Sequence, residues 1–216
     1  MNLQWQKYPQ NARKLFKLTI PIFISQLSAS GMGLADIVMA GLVSDDDVSA
    51  IAVSNSIYFP LFLFVLGLLN AITPTVSYLN GSNQRHLIAH QVRQGFWLVL
   101  TMSIPLILIF CNSHLILDYM HTPESFSSKS QQYLMIMAIG IVPALLAINL
   151  RCMNDGLSNP KPAMIITFFG LLLNIPLNYI FIFGKFGLPE MGSVGCGVAT
   201  AIVNWVMFLM MLYYAY

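Results

Sequence analysis

Charge is what this sequence has least of. Of its 216 residues only 8% are Asp, Glu, Lys or Arg, against about 25% in an ordinary soluble domain. That scarcity, with 57% hydrophobic residues, excludes a soluble globular protein and points to an integral membrane protein with the lipid bilayer as a partner. The formal net charge of +2 is too small to attract nucleic acid. Cysteine is scarce as well. Cys111, Cys152 and Cys196 are dispersed through or beside apolar stretches, which suits neither a disulfide framework nor a zinc site, and they read as buried inert thiols. No Ser/His/Asp or Cys/His set shares a location, so no covalent catalysis and no catalytic residues are expected. The stretch Gly192-Ser193-Val194-Gly195-Cys196-Gly197 departs from G-x-G-x-x-G and follows no strand, so it reads as close helix packing rather than a phosphate loop.

Apolar length, by contrast, is abundant. Six stretches approach the ~20 residues needed to cross a hydrocarbon core: 18–43, 50–78, 95–112, 131–150, 162–184 and 194–216. The first follows Arg13, Lys14 and Lys17 but is too long for the core of a signal peptide, so it reads as a retained first transmembrane helix. The connections are short and polar, and none could separate domains. The expected fold is therefore all-α, a single six-helix membrane bundle over residues 1–216. With the N-terminus in the cytoplasm, Lys7, Arg13, Lys14, Lys17, Arg85, Arg93, Arg151 and Lys161 lie inside and only Lys129 and Lys185 outside, as the positive-inside rule requires. Asp45-Asp46-Asp47 then faces outward and reads as a solvated acidic turn. His86 and His90, four residues apart beside Arg85 and Arg93, read as solvated surface rather than a metal site, and His114, Asp118 and His121 are no stronger. After the sixth span no basic anchor follows. Tyr213, Tyr214 and Tyr216 suit either a membrane-interface end or a point within a longer polytopic chain.

Asp36 stands out against this background. It is the lone charge in the run from Leu18 to Val43, and a carboxylate at membrane depth costs at least roughly 2.5–3.5 kcal/mol. An ion or proton site would justify that cost, and it needs oxygen partners from other spans. The fifth span supplies Asn174 and Asn178, four apart and so on one helix face. Pro176 between them has no N–H for the carbonyl of Leu172, which leaves one more oxygen free. Ordinary interhelical hydrogen bonding would also explain the two amides. Depth distinguishes these readings. Asp36, Asn178 and Thr200 each lie about seven residues, or about 10 Å, below the outer ends of their helices. Asn174 and Asn204 lie a turn deeper. Ser25, Ala29, Met32, Gly33 and Ala40 share the side of Asp36, and small residues there let helices approach. Pro21 marks a bend in the first span, and Asn70 with Thr73-Pro74 a break in the second.

These residues carry a resemblance. Pro21 with Gln26, the stretch Met32-Gly33-Leu34-Ala35-Asp36-Ile37-Val38-Met39-Ala40-Gly41, Asn80-Gly81, and Asp155-Gly156 before Lys161-Pro162-Ala163 are its first part. Gly170 through Asn178, Gly184-Lys185-Phe186-Gly187 and Val194-Gly195-Cys196-Gly197-Val198-Ala199-Thr200 complete it. Over nearly its whole length the chain resembles the N-terminal half of multidrug and toxic compound extrusion (MATE) transporters of the bacterial NorM type. The resemblance implies two six-helix lobes facing a central cleft in the bacterial inner membrane. It implies antiport, with cationic amphipathic drugs leaving as Na⁺ or H⁺ enters, and no other cofactor or metal. It carries the coupling-ion role onto Asp36, with Na⁺ or a proton held there, and the polar pair of the fifth helix onto Asn174 and Asn178. Some relatives have an acid where this chain has Asn178, so a less charged site is implied. Only one lobe is covered, which implies a C-terminal lobe or a second chain as partner. The competing reading is a non-transporting membrane subunit or truncated fragment in which Asp36 is structural.

Overall fold

The computed structural model describes residues 8–187 and 189–215, with side chains from Leu15 onward. The described residues form α1 (Tyr8–Gly41), α2 (Asp45–Asn70), α3 (Ile72–Gly81), a short 3₁₀ turn (Arg85–Leu87), α4 (Ile88–Cys111), α5 (Ser113–Tyr119), α6 (Glu124–Gly156), α7 (Lys161–Ile182) and α8 (Ser193–Ala215). Six segments are long and apolar enough to cross a membrane: Leu15–Gly41, Asp45–Gly81, Arg85–Cys111, Glu124–Gly156, Lys161–Ile182 and Ser193–Ala215. The six expected spans are all present, with shifted ends. The fourth expected span, 131–150, is the clearest correction. Hydropathy fades at Arg151, but backbone hydrogen bonding does not, and α6 continues to Gly156 with Arg151 and Asp155 on its last turns. In the same way α4 begins before Arg93.

The second span divides at Ala71 into α2 and α3. Pro74 is the cause: it has no N–H for the carbonyl of Asn70, and its ring crowds that carbonyl. Pro21 does not interrupt α1, which is helical from Tyr8 to Gly41. The Ser25 hydroxyl donates to the Pro21 carbonyl at 3.0 Å, a local bond inside the turn. On α1 the buried face is Pro21, Ser25, Ser28, Asp36 and Ala40. Gly33, expected on that face, is exposed.

α6 is the central element, packed against α2, α4 and α8, while α1 packs on α7 and α7 on α8. Leu134, Ile141 and Leu145 of α6 are fully buried. The outer surface carries exposed Phe23, Leu34, Phe64, Trp97 and Ile139, as expected of a bundle whose solvent is lipid. Cys152 and Cys196 are buried free thiols, but Cys111 is exposed, contrary to expectation.

The α7–α8 hairpin closes through Gly195. A Cβ there would stand 2.6 Å from the Phe181 carbonyl carbon and 2.9 Å from the Ile182 nitrogen, both of them backbone atoms that cannot swing aside. Gly195→Ala is accordingly expected to destabilise the protein by about 1–3 kcal/mol, the usual range for overpacking. A lowered thermal midpoint in detergent checks this, and an unchanged midpoint would refute it.

Candidate functional site

Asp36 is buried at the junction of α1, α7 and α8. Its Oδ1 accepts from the Asn178 side-chain amide at 2.6 Å and from the Asn174 amide at 3.3 Å. Its Oδ2 accepts from the Thr200 hydroxyl at 3.2 Å. The Asn178 amide also donates to Asn174 Oδ1 at 3.0 Å, the one-turn contact that their spacing anticipates. Asp36, Asn178 and Thr200, read from the sequence as one polar level, therefore meet, joined by Asn174 from the turn below, although they come from positions up to 164 residues apart.

The cluster is not saturated. Asn178 Oδ1 is buried and has no hydrogen-bond partner among the described residues. A buried carbonyl oxygen left bare costs about 1–3 kcal/mol, unless something with positive charge or a proton visits it. The carboxylate of Asp36, this free amide oxygen and the Thr200 hydroxyl are hard oxygen ligands, which suit Na⁺ or a proton.

Gln26, Asn204, Pro21 and Pro176 stand apart from this cluster. Gln26 is exposed, and its Oε1 accepts from an Arg151 terminal nitrogen at 3.4 Å. The Asn204 amide donates to the Gly140 carbonyl at 3.4 Å. Pro21 acts only as a backbone acceptor, and Pro176 lies between the two asparagines of an unbroken α7. Gln26 and Asn204 instead line a cavity of about 420 Å³. Met32, Met207 and Met211 give it a deformable apolar wall, and Arg151 with Asp155 stands at its edge. Met32 is one helical turn from Asp36, and Asn204 one turn from Thr200, so cavity and carboxylate cluster are neighbours. The Arg151 guanidinium approaches the Asp155 carboxylate at 3.6 Å, while Asp155 Oδ1 is buried without a hydrogen-bond partner among the described residues.

Asp47, like Gly33 and Cys111, departs from the expectation drawn from the sequence. It is not part of a solvated turn: it is 1% exposed. Its Oδ2 takes the Lys129 ammonium at 2.9 Å and the Ser44 hydroxyl at 2.6 Å. Its Oδ1 accepts from the Ser193 backbone N–H at 2.9 Å and hydroxyl at 2.7 Å. Gly192, at φ +54°, lies so close that a Cβ would stand 2.9 Å from the Asp47 carboxyl carbon. One carboxylate thus joins the starts of α2, α6 and α8. The available signal was Ser44-x-x-Asp47, the sequence pattern of a capping box; Ser44 Oγ accepts from the Asp47 N–H at 3.1 Å, and its hydroxyl goes to the Asp47 carboxylate.

The MatE family model matches residues 21–180. The Probable multidrug resistance protein NorM of Haemophilus ducreyi is 84% identical over 216 residues, covering 100% of this chain and 47% of that protein. Multidrug resistance protein MdtK of Yersinia pestis is 52% identical over 210 residues, covering 97% of this chain and 46% of that one. The chain spans about half the length of the curated relatives it matches. Among solved structures, the eukaryotic MATE transporter AtDTX14 superposes at a TM-score of 0.87 and 20% identity, over 96% of this chain and 46% of its own. A multidrug resistance MATE family transporter in an outward-facing conformation superposes at 0.85 and 17% identity, over 94% of this chain and 44% of its own. At those identities the superpositions speak to fold.

Proposed function

Since this chain belongs to the MatE family, we propose that it is the N-terminal half of a multidrug antiporter in the bacterial inner membrane, its N-terminus cytoplasmic. In this reading cationic amphipathic drugs leave in exchange for inward Na⁺ or H⁺, and Asp36, Asn174, Asn178 and Thr200 hold the coupling ion. The observation that carries it is the buried Asp36 cluster with one amide oxygen free beside it. The Asp36 carboxylate ties α1 to α7 and α8 through three side-chain donors. A cation or proton arriving there competes for the same oxygens. The ties weaken, and α1 is released to move relative to α7 and α8. The Met-walled cavity one turn away, about 420 Å³, then changes shape. That volume is within the range of drug-sized ligand sites, about 300–1,000 Å³. Ion binding thereby biases two states of one bundle, which is the requirement for exchange.

The same hydrogen bonds favour the competing reading, a non-transporting subunit held together by Asp36. Asn178→Ala separates the two. It removes the closest donor to Asp36 and the free oxygen together. A hydrogen bond to a charged group is worth about 1.5–3 kcal/mol, so the ion concentration for half-maximal drug efflux in proteoliposomes is expected to shift at least about tenfold. Unchanged ion dependence, with only a lowered melting temperature, would favour the structural role.

A further inference from the structure

Arg85, on the 3₁₀ turn, and Arg93, in the second turn of α4, are exposed basic residues that the transport mechanism does not use. His86 and His90, also exposed, lie between them in sequence, on the 3₁₀ turn and the first turn of α4. No acidic side chain among the described residues pairs with either arginine. Among the described residues the two ion pairs are Lys129 with Asp47 and Arg151 with Asp155. Of the eight acids in the chain, only Asp155 falls on the side assigned to the cytoplasm, and it is engaged by Arg151. Arg85 spends its Nε on the Asn80 side-chain oxygen at 2.8 Å, which orients the guanidinium and leaves its terminal nitrogens available. The His90 ring is held by Gln94 at 3.1 Å and by Arg93 at 3.4 Å.

The face that continues from these residues is apolar. His90, Arg93, Trp97, Leu100, Ile104 and Leu108 recur every three or four residues and so form one stripe. Trp97 is 64% exposed at the boundary, where an indole suits a membrane interface. Leu100, Ile104 and Leu108 beyond it are exposed as well. From Trp97 to Leu108 the stripe runs about 16 Å, close to the roughly 15 Å of one leaflet's hydrocarbon. A soluble anion would need the basic end alone.

We propose that this face of α4 binds one anionic phospholipid, its headgroup phosphate bridged by Arg85 and Arg93 and an acyl chain lying along Trp97, Leu100, Ile104 and Leu108. The test is lipid competition. The purified protein, delipidated in detergent, is offered dioleoyl phosphatidylglycerol and dioleoyl phosphatidylcholine, and bound lipid is counted by native mass spectrometry. Phosphatidylglycerol is expected to be retained preferentially. Changing Arg85→Gln together with Arg93→Gln is expected to weaken it about thirtyfold, about fivefold per basic residue, without altering the melting curve, since both side chains are exposed. Equal retention of the two lipids, or an unaffected double variant, would overturn the proposal. So would displacement of the lipid by inorganic phosphate at equal concentration, which would assign the two arginines to a soluble ion.

Discussion

In the proposed full-length antiporter, Asp36→Asn is expected to abolish ion-driven drug efflux while leaving the bundle folded. The replacement is isosteric, and the new amide can keep an oxygen toward Asn174 and Asn178 while its NH₂ faces the Thr200 hydroxyl, which can accept. What disappears is the charge. A neutral amide neither takes up a proton near neutral pH nor balances Na⁺, so the ion no longer distinguishes one conformation from another. A ligand without differential affinity shifts no equilibrium, however steep its gradient. The expected loss of coupled flux is therefore complete rather than partial. Stability should move little. The charge-assisted bonds weaken, but the desolvation of a carboxylate, at least roughly 2.5–3.5 kcal/mol at membrane depth, also disappears. The measurement pairs resistance or reconstituted efflux with thermal unfolding of the same variant. Undiminished efflux would remove Asp36 from the mechanism. A large stability loss with normal efflux per folded molecule would establish it as structural.

Asp47→Ala is expected to have the largest effect on stability, about 3–5 kcal/mol, the usual consequence of breaking a buried charged network from one side. Its carboxylate is the shared acceptor for four donors from three helix starts: Ser44, Lys129, and the Ser193 N–H and hydroxyl. Removing it strands the Ser193 donors, which are fully buried, and removes an acid from the first turn of α2, where the helix dipole favours it. Lys129→Met provides the contrast. Its side chain is 40% exposed, but its loss leaves the buried Asp47 carboxylate with neutral donors only, so it should cost about 1–3 kcal/mol. Urea or thermal unfolding in detergent compares the two. Near-equal losses would show that the ion pair, rather than the caps, holds the three ends together. Efflux per folded molecule should be unaffected, because Asp47 lies on neither the Asp36 cluster nor the cavity wall.

The asymmetry between these two acids shows what a sequence of this kind can disclose. Asp36 was legible because it interrupts a long apolar run, and charge in hydrocarbon is conspicuous. Its partners were legible because a membrane supplies a common depth scale: residues equally far from their helix ends must share a level, so Asn178 and Thr200 could be matched with Asp36 without knowing the packing. Asn174 followed from helical spacing alone. Asn204 shows the limit. Depth and spacing do not say which way a side chain turns across a bundle, and Asn204 faces the cavity instead.

By itself, then, the sequence determined an all-α membrane protein, its six spans, the break before Pro74 and the identity of the polar cluster, because hydropathy and helical periodicity are local properties. Only the tertiary structure decided that Asp47 is buried, since its burial depends on the starts of α6 and α8 converging on α2 from positions 82 and 146 residues away. It also decided that α6 carries Arg151 and Asp155 into the cavity edge, because a helix ends where its hydrogen bonds end and not where its hydropathy falls. The cavity has no sequence signature at all: it is the space left where α1, α2, α6, α7 and α8 fail to fill the bundle.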